Sequence, residues 1–152
     1  MNEKNEITPV LIENRIFSLR GKQVMLDFHL SDLYLVETKR LNEQVKRNIK
    51  RFPESFMFQL SDVEWDDLQS QIATAKRRSL PYVFTEQGVS ILSAVLNTDM
   101  AIEVSIQIMN AFVQMRKTIG NHQQLLQLSS DFTKHKLDTD EVNVVDLIED
   151  LI

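Results

Sequence analysis

Apolar residues along the first third of the chain arrive in short runs. Runs at 10–12, 16–19 and 24–26 are separated by Asn14-Arg15 and Gly21-Lys22, both turn-like pairs. This spacing predicts a small β-meander. From residue 29 the period lengthens. A short helix over 29–35 would bury Leu30, Leu33 and Tyr34, and Val36-Glu37 would turn the chain. The hydroxyl of Thr38 is placed to cap a second helix over 38–51. On that helix Leu41, Val45, Ile49 and Phe52 fall within about 80° of one another, as one apolar stripe. Pro53 marks its stop.

Further along, "SFMFQL" at 55–60 reads as a strand, and Ser61 with Glu64 matches a capping box that opens a helix burying Val63 or Trp65 together with Leu68. "YVF" at 82–84 reads as a second strand able to pair with 55–60 as a hairpin. Thr85 can cap the following helix, "EQGVSILSAVLN", with Val89, Leu92 and Val95 inward. After a break at Asn97-Thr98-Asp99 the pattern predicts a long helix over about 99–118. Its polar positions Glu103, Gln107, Asn110, Gln114 and Lys117 form one narrow wet stripe, which puts this helix in a core or a subunit interface. Gly120-Asn121 would end it, "HQQLLQL" is a candidate restart, "SSDFTKHKLDTDE" reads as a linker, and "EVNVVDLIEDLI" as a short amphipathic helix. The expected fold class is α+β: a small β-meander and a hairpin packed with a helix-turn-helix-like pair and two longer C-terminal helices. The expected organisation is a domain over 8–118 and an acidic tail over 119–152.

Composition sharpens this picture in two ways. Three glycines and three prolines in 152 residues favour long regular elements, and the absence of cysteine excludes a disulfide scaffold and cysteine-based zinc sites. No signal-peptide core opens the chain and no apolar run approaches the ~18 residues of a membrane span, so a cytoplasmic protein with no membrane partner is expected. The net charge of −5 is unevenly placed: from Ser129 onward seven acidic residues face two basic ones, so residues 1–128 are neutral overall. Local charge density, not the global sum, makes an electrostatic footprint.

The densest basic stretch is "TKRLNEQVKRNIKRFP", 38–53, with Lys39, Arg40, Lys46, Arg47, Lys50 and Arg51 against Glu43 alone. On the wheel the three lysines oppose the apolar stripe. The three arginines form one flank beside Gln44, Asn42 sits on the other, and Asn48 falls near the apolar sector, where it needs a structural hydrogen bond. Short helix, tight turn and basic second helix is the helix-turn-helix pattern, whose recognition helix reads bases with its N-terminal residues. Arginine suits guanine, and asparagine or glutamine suits adenine. Thr38, Lys39, Arg40, Asn42 and Glu43 are therefore assigned to base contact, and Lys46, Arg47, Lys50 and Arg51 to phosphate. A second basic cluster, Lys76, Arg77 and Arg78, lies between two predicted strands and would grip adjacent phosphates like a wing. The alternatives are a solvated surface helix and a loop that is merely soluble.

Nothing points to an enzyme or to a cofactor. His29, His122 and His135 lack metal-ligand spacing, and Asp62, Glu64, Asp66 and Asp67 suit the positive end of a helix better than a catalytic pair. No phosphate-binding glycine loop or nucleophile elbow occurs.

The stretches "VMLDFHLSDLYLVETKRLNEQVKRNIKRFPESFMFQL" (24–60), "LPYVFTEQGVSILSAVLN" (80–97) and "AIEVSIQIMNAFVQMRK" (101–117) resemble the ORF6N domain family, phage and bacterial proteins related to the KilA-N and Bro-N group. "TKRLNEQVKRN..RFP" and "FTEQGV" carry the resemblance most specifically, and it covers about 8–118. It implies an α+β DNA-binding domain of phage or prophage regulators, with no established catalytic residues. One departure is Leu35, where glycine is common in such turns. The expected function is sequence-specific binding of double-stranded DNA in transcription regulation, as a homodimer through helix 99–118, the C-terminal segment or both. The alternative is an interaction or oligomerisation module whose basic face docks an acidic partner or the chain's own acidic tail.

Overall fold

A computed structural model of the chain describes residues 9–72 and 79–139. The predicted basic loop Lys76, Arg77 and Arg78 and the predicted helix in "EVNVVDLIEDLI" lie outside the described residues. The fold is α+β. The elements run α1 (Pro9–Glu13), β1 (Phe17–Leu19), β2 (Lys22–Leu26), α2 (Asp27–Tyr34), α3 (Thr38–Arg47), β3 (Met57–Gln59), α4 (Asp62–Gln69), β4 (Tyr82–Thr85), α5 (Glu86–Leu96) and α6 (Asp99–Thr139).

The expected meander and separate hairpin form one antiparallel sheet of order β1-β2-β4-β3. Arg20 and Gly21, with φ of 52° and 73°, make the two-residue turn between β1 and β2, and the positive φ pair matches the twist of the flanking strands. β2 is central, and β4 joins it to β3 through the registers Met25↔Phe84 and Met57↔Phe84. The run at 10–12 is not a strand. Proline is well suited to the first helical turn, and 9–13 forms α1, with Ile12 fully buried.

Alternation along the strands sends side chains to two faces. One face carries Val24, Leu26, Phe58 and Val83, which pack with Leu60 and with Trp65 and Leu68 of α4. The capping box of α4 is formed as expected: Glu64 N–H donates to Ser61 Oγ and Ser61 N–H to Glu64 Oε1. Of the alternatives Val63 and Trp65, the tryptophan is buried and Val63 is 70% exposed. On the other face Phe84 meets Phe52 edge-on at 5.9 Å. Thr85 caps α5 by accepting from Gly88 N–H, and Asn97, in the left-handed region, ends it.

The chain divides into two compact units, 1–112 and 113–152. Within the first, α6 buries Ala101, Val104, Ser105, Ile108, Ala111 and Phe112, while Ile102 and Ile106 are about half exposed. This stretch thus joins the core on one side and keeps apolar residues exposed on the other. Tyr34 OH and Ser105 Oγ, both buried, share a hydrogen bond of 2.6 Å that ties α2 to α6. The predicted stop at Gly120-Asn121 and the predicted linker from 129 are overturned, since α6 is continuous to Thr139. A mid-helix glycine costs only about 1 kcal/mol relative to alanine, and no proline or further glycine occurs between 121 and 139 to stop the helix.

His29, half-buried between Phe17 and Phe28, has its pKa lowered from 6.5 to about 4, first by burial and then by Arg15. The unfolded chain therefore binds the extra proton first, and stability falls as pH drops from 6.5 towards 4. Glu64 is held down at about 2, chiefly by the hydrogen bond from Arg20, so its contribution is lost as pH falls below 4.5. Urea midpoints measured across this range are expected to decline in both windows. His29→Gln should flatten the upper one only.

Candidate nucleic-acid interface

The site is built on the α2–α3 pair. Leu35 closes α2 in the left-handed region at φ 59°, ψ 43°, and its amide and that of Val36 bond back to Asp32 and Ser31 carbonyls. The turn is therefore as sharp as a glycine turn, at a conformational cost of about 1 kcal/mol for a leucine. Thr38 does not cap α3. It is the first helical residue, and its hydroxyl is 2.7 Å from Ser31 Oγ, joining the two helices. The cap position is Glu37, which makes no side-chain cap bond.

Leu41 and Val45 of α3 are buried, as is Phe52 beyond it, so the helix seats its apolar stripe as expected. Ile49 is the exception, at 52% exposure. The α-helix ends at Arg47 instead of 51, and a 3-10 turn over Ile49–Arg51 follows. The tighter winding carries Ile49 off the stripe. Asn48 marks the change: its Nδ2 donates to the Gln44 carbonyl at 2.9 Å, the structural hydrogen bond that its wheel position requires.

Lys39, Arg40, Glu43, Lys46, Arg47, Lys50 and Arg51 are all exposed. Among the described residues none of the six cations is in an ion pair; the ion pairs are Arg15–Asp32 and Arg20–Glu64, each at 2.9 Å. Arg20 also lies 4.1 Å over the Phe58 ring, so it is committed to the fold. Thr38, Asn42 and Gln44 are half-buried. Asn42 Nδ2 donates to Asp27 Oδ2 at 3.1 Å, which turns this predicted base reader towards the interior.

Concavities lie on both flanks of α3. One of about 660 Å³ runs along Leu35, Arg40, Gln44 and Arg47, and one of about 510 Å³ lies between Lys39, Asn42 and Lys46 and the strand ends at Gln59 and Tyr82. Near the start of the helix, Ile72 lines a hollow with Glu37 and Thr38, and Ser79 lines the second concavity.

Two residues carry structural weight that periodicity alone does not mark. Asp27 is 1% exposed and accepts from both Asn42 and the Tyr82 backbone N–H, the latter at 3.2 Å. Gly88 lets the first turn of α5 approach the Phe56 carbonyl. The "FTEQGV" stretch was the sequence signal for Gly88; Asp27 gave none beyond an acid directly after an apolar run.

Comparison with known proteins bears on this geometry. A family model described as the ORF6N domain matches residues 14–95, more than half of the chain. The chain belongs to the ORF6N family. The ORF6N match spans the sheet, the α2–α3 pair and α4, and stops within α5, so α6 is outside it. No curated protein and no solved structure gives a match. Among the described residues no helix is long and apolar enough to cross a membrane.

Proposed function

We propose that this ORF6N domain binds double-stranded DNA sequence-specifically, as a phage- or prophage-type transcription regulator acting in the cytoplasm, with α3 as its recognition helix. The observation that carries the reading is the set of six exposed cations over 39–51 with no acidic partner among the described residues. A solvated surface helix usually intersperses charges of both signs, whereas here only Glu43 offsets the six. Lys39, Arg40 and Glu43, near the start of α3, are the base-reading candidates. Lys46, Arg47, Lys50 and Arg51 are the phosphate contacts, and Lys76, Arg77 and Arg78, outside the described residues, add to them on the strength of their charge. No catalytic step is assigned to the site.

The test is anisotropy with mixed-sequence duplexes across a salt series. With ~5 phosphates neutralised, log K should fall against log salt with a slope of roughly −4 to −5. A flat response would sink the reading. A second reading, an interaction or oligomerisation module, is favoured by the exposed Met100, Ile102 and Ile106 on α6. These side chains also suit a homodimer of the DNA-binding form. Salt-independent self-association without duplex binding would favour the module.

A further inference from the structure

The geometry points to Asn42 as a positioning residue, not a base reader, acting with Asp27 to set the roll of α3; this assignment rests on the DNA-binding reading above. Asp27 opens α2 at the end of β2 and is 1% exposed. Its Oδ2 accepts from Asn42 Nδ2 of α3 at 3.1 Å and from the Tyr82 backbone N–H of β4 at 3.2 Å. One buried carboxylate oxygen thus joins the first helix of the pair, the second helix and the sheet.

The apolar seat of α3 cannot do this alone. Leu41 and Val45 hold the helix down through contacts that are non-directional. A hydrogen bond has an angular optimum and a steep distance dependence. With a helix radius of about 5–6 Å, a roll of about 20° displaces surface groups by about 2 Å, enough to break bidentate contact with a base edge. Asn42 is the α3 side chain whose amide is anchored in this way. The Ser31–Thr38 hydroxyl contact holds the start of the helix, one turn earlier.

The two roles of Asn42 make opposite demands. A base reader needs its carboxamide to face adenine with one donor and one acceptor. A positioning residue needs only a hydrogen bond with residue 27. Exchanging the pair separates them. In Asp27→Asn with Asn42→Asp, residue 27 turns about χ2 so that its new amide nitrogen donates to the carboxylate at 42 and its oxygen accepts from Tyr82 N–H, dividing between two atoms the contacts that Oδ2 alone makes in the wild type. The charge of the pair is unchanged, but an aspartate cannot donate to adenine N7.

The experiment uses the full chain and a duplex enriched from a random-sequence pool by the wild type, compared with a scrambled duplex of the same composition. Urea midpoints establish that each variant is folded under the binding conditions. Asn42→Ala should lower the ratio of the two affinities by about tenfold while leaving the salt slope unchanged, because no phosphate contact is removed. The exchanged pair should recover the ratio to within about threefold of wild type. An unchanged ratio in Asn42→Ala overturns the assignment. So does an exchanged pair that stays as low as Asn42→Ala with the loss confined to one base pair, which would make Asn42 a reader. A wild type that enriches no sequence overturns the recognition reading itself, and this assignment with it; the wild-type arm alone distinguishes that case.

Discussion

Replacing Gly88 by alanine is expected to lower stability by about 3 kcal/mol or more, read as a shift of the urea midpoint at constant slope. The conformation of Gly88 is helical, so strain in φ is not the reason. A Cβ at this position would lie 2.3 Å from the Phe56 carbonyl oxygen and 3.2 Å from its carbon. Both are backbone atoms, and the oxygen is held by two donors, Thr85 N–H at 2.9 Å and Thr85 Oγ1 at 3.1 Å. Thr85 in turn caps α5 and pairs with Val24 of β2. Moving Phe56 away would therefore loosen the approach to β3, the cap and the sheet together. Gly120→Ala is the control. Nothing lies within 4 Å of its Cβ and the residue is in mid-helix, so the change should stabilise by about 0.5–1 kcal/mol. Equal small effects at both glycines would show that the α5–Phe56 contact yields easily.

The second large effect is expected on binding. Arg40→Ala combined with Arg47→Ala should weaken binding to the preferred duplex by roughly 100-fold, while the urea midpoint stays within about 0.5 kcal/mol of wild type. Both side chains are exposed and without an ion pair among the described residues. The single variants should differ in kind. Arg47→Ala, a phosphate contact, should weaken all sequences alike and reduce the salt slope by about 1. Arg40→Ala, near the start of α3, should relax preference at one base pair, by roughly 1–3 kcal/mol. If the double variant binds as the wild type does, α3 is not the DNA-contacting surface, and its charge serves solvation or another partner.

The α3 segment was largely legible as sequence. The positions of Leu41 and Val45 on one wheel face, the hydrogen bond of Asn48, the capping box at Ser61 and the cap at Thr85 all follow from contacts within four residues. A uniform helical period misplaces Ile49, because past Arg47 the backbone changes to a 3-10 turn. The three apolar residues at 10–12 fit a strand or a helix equally, and the chain forms the helix that starts at Pro9. The pattern understates the length of α6, because a glycine commonly ends a helix by entering the left-handed region, and Gly120 does not enter it.

By itself the sequence determined the kind of the elements from β1 to α5, the buried positions Leu41 and Val45 of α3, the caps of α4 and α5, and the concentration of positive charge over 39–51 against Glu43 alone. All of these depend on residues a few positions apart, whose relative directions are set by helix and strand geometry. Tertiary structure alone decided the strand order, which places β4 between β2 and β3. It also decided that Asn42 faces Asp27 and that Gly88 faces Phe56, contacts across 15 and 32 positions. Such pairs share no periodicity. They are fixed by which buried surfaces meet once the sheet closes, and by the need of a buried carboxylate or carbonyl to find donors there.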